Sequence, residues 1–153
     1  MADELASDSS KYAELICQCC SRLCRIMNGV LAENGLNISQ CQTLSTLCDE
    51  EPGMTMGELS SALGVTMGAA TNLVDRLLAS ELVERERGKK DRRVVRVKLT
   101  DTGREALDRD RATLAAFWSG IIEHVPPEER RSFFESYERL LRLAEGASAK
   151  RKK

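Results

Sequence analysis

The chain has 153 residues, of which 42% are hydrophobic, 31% charged and only 4% aromatic, with a formal net charge of −1. That length suits one globular domain over residues 1–153, with a core built from Leu, Val, Ala and Met. No apolar run approaches the roughly 18 residues of a membrane span, and the acidic opening MADELASDSSKYAE lacks the blocks of a secretory signal. No membrane partner is therefore expected, and the expectation is a cytoplasmic protein with reduced thiols.

A first long helix is expected over residues 10–33, with Ile16, Leu23, Ile26, Met27, Val30 and Leu31 on a wide apolar arc and Asn34-Gly35 as its stop. Asn37 and Gln40 form a capping box for a second helix whose Cys41, Leu44, Leu47 and Cys48 share a face. Pro52-Gly53 ends it. A third, short helix opens on a second capping box, Thr55 to Glu58, and Gly64 closes it. Thr66 caps a fourth almost at once, in which Ala70, Leu73, Val74, Leu77 and Leu78 form a buried stripe.

Two short strands follow, Leu82 to Arg87 and Arg93 to Leu99, joined by Gly88-Lys89-Lys90-Asp91-Arg92. A fifth helix, capped by Thr100, is expected to about His124, and a sixth from Pro127 to Glu145, with a disordered basic tail. The reading is a mainly α fold with a small β-hairpin wing. Residues 37–100 form a winged helix-turn-helix lobe, and helices 10–33 and 101–145 serve dimerisation.

The global charge argues against a nucleic-acid partner, but its distribution argues for one. Between Leu82 and Thr100 stand Arg85, Arg87, Lys89, Lys90, Arg92, Arg93, Arg96 and Lys98 against Glu84, Glu86 and Asp91, a local charge of +5. The fourth helix has one face free, carrying Gly68, Asn72, Asp75 and Arg76, flanked by Ala69 and Thr71. Gly68 and Ala69 allow a close approach to bases, and Asn72 and Arg76 can bond base edges or phosphates. Thr66 stands at a helix N-terminus, which favours a phosphate. Lys89, Lys90, Arg92 and Arg93 are placed to reach a minor groove, with Asp91 holding an arginine in position. Asp75 is expected to pair with Arg76 or a wing arginine.

The stretch Asp91-Arg92-Arg93-Val94-Val95-Arg96-Val97-Lys98-Leu99-Thr100, followed by Gly103, resembles the D-x-R-x-x-x-V-x-L-T-x-x-G wing signature of the MarR family of regulators. The resemblance extends from about Lys11 to Glu145. It implies a homodimeric repressor, Thr66 to Ala79 as recognition helix, Asp91 and Arg93 as the wing pair, and a pseudo-palindromic duplex DNA operator. It further implies release by a small-molecule effector or other signal. Where the family often has glycine between recognition helix and wing, this chain has Glu81, which a left-handed backbone would strain by roughly 1 kcal/mol.

Six cysteines, Cys17, Cys19, Cys20, Cys24, Cys41 and Cys48, admit two readings: small apolar packing residues, or a thiol sensor of oxidant or soft metal. In the second, Cys20 and Cys24 lie one turn apart, and Cys17 or Cys41 supplies a third thiolate. The family's organic-peroxide sensors use a cysteine with tyrosine partners, but those positions fall at Ala13, Cys17, Met27 and Ile38 here, so that mechanism does not transfer. With one histidine, His124, and no phosphate loop, neither a resident metal or cofactor nor an enzyme is expected.

Overall fold

The computed structural model describes residues 2–50, 52–87 and 94–151, with side chains from Asp8 to Lys150. In chain order the elements are α1 (Ala2–Ala32), α2 (Ile38–Cys48), β1 (Met54–Thr55), α3 (Met56–Leu63), α4 (Met67–Ala79), β2 (Val83–Arg87), β3 (Val95–Leu99), α5 (Asp101–Ile122) and α6 (Pro127–Arg151). They fall into two compact units, Met1–Leu114 and Ala115–Lys153.

The core of the first unit draws one or more fully buried aliphatic residues from each of its helices. Leu31 comes from α1, Leu44 from α2, Leu59 from α3, Val74 and Leu77 from α4 and Leu107 from α5, with Val97 from β3. Each such side chain contributes roughly 1.5–3 kcal/mol by leaving water. The caps follow the sequence. Asn37 and Gln40 make a reciprocal capping box on α2, and Thr55 and Glu58 make one on α3. Gly35, at φ +81°, ends α1 in the left-handed region. The adjoining Asn34 donates from Nδ2 to Asp110 Oδ1 and to Thr113 Oγ1, both at 3.0 Å, which ties the α1–α2 elbow to α5.

The sheet has three strands where two were expected, in the order β1-β3-β2, all antiparallel. Met54 pairs with Val97, and Arg85 pairs with the same residue from the other side. A two-residue strand is too short to show an alternating pattern, so the sequence reads it only as the approach to a helix. Gly53, at φ +103°, makes the close pairing possible, because a Cβ there would sit 2.6 Å from the Val97 carbonyl oxygen. β1 in turn gives the hairpin the support it lacks alone.

The junction after α4 departs from the commoner glycine turn without changing its geometry. Glu81 takes φ +59°. Its amide bonds to Leu78 O at 3.0 Å and the Leu82 amide to Leu77 O at 2.9 Å, the paired bonds of a Schellman cap. The second of these bonds holds Leu82 at the cap, so β2 begins at Val83 rather than Leu82. Thr100 then closes the junction. Its hydroxyl donates to Glu81 O at 2.7 Å and accepts from the Gly103 amide at 2.9 Å, capping α5. A Cβ on Gly103 would overlap the carbonyl of Leu82, so the first turn of α5 sits directly on that backbone.

In the second unit, Arg130 donates from Nε to Val125 O at 2.9 Å and fixes the turn into α6. α6 extends to Arg151 rather than Glu145. Gly146 lies inside the helix, because the alanines that follow favour its continuation. α1 likewise starts at Ala2 rather than Ser10.

Two substitutions test the α4–α5 junction by urea denaturation. Gly103→Ala is expected to lower the unfolding free energy by about 3 kcal/mol through backbone overlap. Glu81→Gly is expected to raise it by about 0.5–1 kcal/mol by relieving the left-handed strain.

Candidate nucleic-acid interface

α3 and α4 are joined by a turn of three residues. Gly64, at φ +67°, closes α3, the Val65 amide bonds to Ser60 O at 3.1 Å, and Thr66 caps α4 by accepting from the Ala69 amide at 3.3 Å. This is a helix-turn-helix. The orientation of α4 is set by Ala70, Val74 and Leu77, which are buried on one side. Gly68, Ala69, Asn72, Asp75 and Arg76 are consequently exposed together, as the sequence predicted. Thr71 is half-buried, and its hydroxyl donates to Met67 O at 2.9 Å, so it lines the edge of the face. The Thr66 hydroxyl is likewise engaged by its cap with the Ala69 amide, which leaves the Met67 and Gly68 amides of the first turn and their partial positive charge for an anion.

Asp75 lies on the exposed face and pairs with Arg85 of β2 at 2.8 Å, a strand arginine and not its neighbour Arg76. The pair joins α4 to β2. Alternation along β2 puts Arg85 on the face of Val83 and Arg87, which is the signal that could have singled it out.

Of the other described cations of the basic segment, Lys98 and Arg96 serve the scaffold, while Arg87 is exposed. Lys98 bridges Glu84 at 3.1 Å and Glu86 at 3.0 Å. These two carboxylates hold its ammonium above the ordinary lysine range, Glu86 acting most strongly. Arg96 bonds Gly53 O at 2.7 Å and Glu58 at 3.1 Å, fastening β3 to the start of α3. The amide and hydroxyl of Thr55, followed by Arg96, hold the Glu58 carboxyl below the usual carboxylate range. The +5 counted along the sequence is therefore partly internal to the sheet. Lys89, Lys90, Asp91, Arg92 and Arg93 fall outside the described residues.

The cysteines divide. Cys17, Cys19, Cys20 and Cys24 are exposed on α1. Cys41 is buried in the core, and burial, reinforced by the neighbouring Asp110 carboxylate, pushes its thiol up, away from the reactive thiolate. Cys48 is half-buried, with an Arg104 guanidinium nitrogen 3.7 Å from its sulfur. Among the described residues no three His, Cys, Asp or Glu groups are placed to hold a metal ion. His124 bonds through Nδ1 to Gly120 O at 2.8 Å, just beyond the end of α5.

Comparison with known proteins supplies the lineage. Residues 34–94 match the sequence model of the MarR family. The chain is 26% identical over 143 residues to the HTH-type transcriptional regulator YdgJ of Bacillus subtilis, spanning 89% of this chain and 82% of that one. It is 32% identical over 114 residues to the transcriptional repressor MprA of Escherichia coli, spanning 66% of this chain and 65% of that one. Among solved structures, the regulator BldR from Sulfolobus solfataricus superposes with a TM-score of 0.69 at 26% identity, covering 88% of this chain and 94% of that chain. A mutant of Staphylococcus aureus MepR bound to an oligodeoxyribonucleotide shares the fold, with a TM-score of 0.62 at 19% identity over 87% of this chain and 97% of that one. The wing signature, the α3–α4 turn and these likenesses agree in supporting a DNA-binding transcriptional regulator of MarR type, with residues 34–94 matching that family's model.

Proposed function

We propose that the protein is a homodimeric repressor, acting in the cytoplasm, that reads a pseudo-palindromic operator and is released from it by a small-molecule effector or other signal. The observation that carries this reading is the composition of the exposed side of α4. Small residues at Gly68 and Ala69 adjoin the hydrogen-bonding Asn72 and Arg76 on a helix anchored from behind. Such a face fits a major groove. Lys89, Lys90, Arg92 and Arg93, with Asp91 as holder, would serve the adjacent minor groove, and Thr66 and Thr71 would flank the base-reading face. The repressor named MprA and the oligonucleotide-bound MepR mutant are consistent with this role.

Dimerisation is supported by the two long terminal helices. α6 has no buried residue among those described, yet it carries Phe133, Phe134, Tyr137, Leu140 and Leu141 in helical register. α1 exposes Tyr12, Leu15, Ile16 and Ile26. Stripes of this kind need cover, and a second copy provides it while setting two recognition helices about one DNA turn apart. Among the described residues no helix is long and apolar enough to cross a membrane.

A second reading, control by thiol chemistry, is favoured by one observation. Cys17, Cys20 and Cys24 lie exposed along one strip of α1, so within this chain they fill no core. Cys41, which the sequence grouped with them, is poorly suited by its burial.

In a binding assay with the native upstream duplex, Asn72→Ala and Arg76→Ala are each expected to weaken binding by about 5- to 150-fold. Arg93→Ala should also weaken it, and affinity should fall steeply with salt. Unchanged affinity in all three variants would overturn the interface. In the same assay, thiol control predicts that peroxide or Cu(I) releases the DNA and that Cys20→Ala/Cys24→Ala abolishes the release. Identical release from the double variant would remove these thiols from the mechanism.

A further inference from the structure

We propose that Val65 and Met67, the two apolar residues flanking the cap Thr66, read the 5-methyl groups of thymine in the major groove and so set part of the DNA sequence preference. The proposal rests on the reading of α4 as the recognition helix. Between Leu36 and Thr100, the large hydrophobic residues exposed among those described are Val65 at 38%, Met67 at 52% and Val95 at 41%. A single exposed apolar residue is ordinary. Two of three within three residues, at the end of the helix that enters the groove, form a local apolar tip.

The tip is held in place by its backbone. Left-handed Gly64, the Val65 amide bond to Ser60 and the Thr66 cap fix the turn. Met67 extends toward the start of α3, where its Cε lies 4.0 Å from the position a Cβ on Gly57 would occupy. Met67 therefore lies beside the first turn of α3, at a distance of ordinary van der Waals contact.

The chemistry of the neighbours decides what this end can recognise. From Val65 to Ala69 the only polar side chain is Thr66, whose hydroxyl accepts from the Ala69 amide. The first turn of α4 therefore lacks the amide and guanidinium groups that read base edges, and these begin at Asn72 and Arg76. The feature of a major-groove edge that an apolar side chain recognises is the thymine methyl. The helix thus divides the readout, with methyl groups met at its tip and polar edges further along.

The test uses the full chain and the duplex it selects from a randomised DNA pool. That duplex is then synthesised with thymidine and, position by position, with deoxyuridine, which pairs identically but lacks the methyl. Wild-type protein is expected to lose about 4-fold in affinity for each contacted methyl, at one or two positions per half-site. In Val65→Ala/Met67→Ala the thymidine and deoxyuridine duplexes should bind alike. Equal binding of both duplexes by wild type overturns the proposal without needing any variant. A deoxyuridine loss that persists undiminished in the double variant overturns it too, and leaves the α4 reading standing. Failure to select any duplex would sink the α4 reading itself, and this proposal with it.

Discussion

The seat of α5 on the carbonyl of Leu82 is the contact on which the other parts of the helix-turn-helix lobe depend. Leu82 is buried in the core and ends the Schellman cap of α4. Its carbonyl accepts the Thr100 amide at 3.2 Å, and Gly103 rests against it. One residue therefore fixes the end of α4, the start of β2 and the start of α5. The threonine and glycine at the end of the wing signature have a common explanation here. Thr100 bonds both sides of the junction, and Gly103 removes the only atom that would push them apart.

Electrostatics in the lobe separates into two layers. Arg96 with Glu58, Lys98 with Glu84 and Glu86, and Arg85 with Asp75 bind the sheet to α3, to itself and to α4. Exposed pairs of this kind add little stability individually. Their use is orientation, since each joins elements whose relative placement decides where α4 points. The carboxylate on the exposed side of α4 has Arg85 beside it. The pair is neutral, and it couples wing to helix.

The cysteines show how exposure changes a residue's meaning. Cys41 and Cys48 lie in or against the core, as small apolar residues do. Cys17, Cys20 and Cys24 occupy a strip that continues the line of the buried Met27 and Leu31 toward the N-terminus, beyond the reach of the core. The same helix face is thus structural near α2 and chemically available further up.

The sequence by itself determined the six helices, both capping boxes, the stripe on α4 and the free face opposite it. Each follows from local rules of capping and 3.6-residue periodicity, which operate within a few residues. It also located the anomaly at Glu81, because glycine is the usual residue in a left-handed cap. Only the tertiary structure decided how that anomaly is tolerated, through bonds from Leu82 and Thr100. It alone supplied β1, whose two residues carry no pattern of their own and pair only because Val97 lies 43 positions further on, beside Met54. It alone sorted the basic segment into scaffold and surface, since charge counted along a chain does not reveal which carboxylates folding brings within reach.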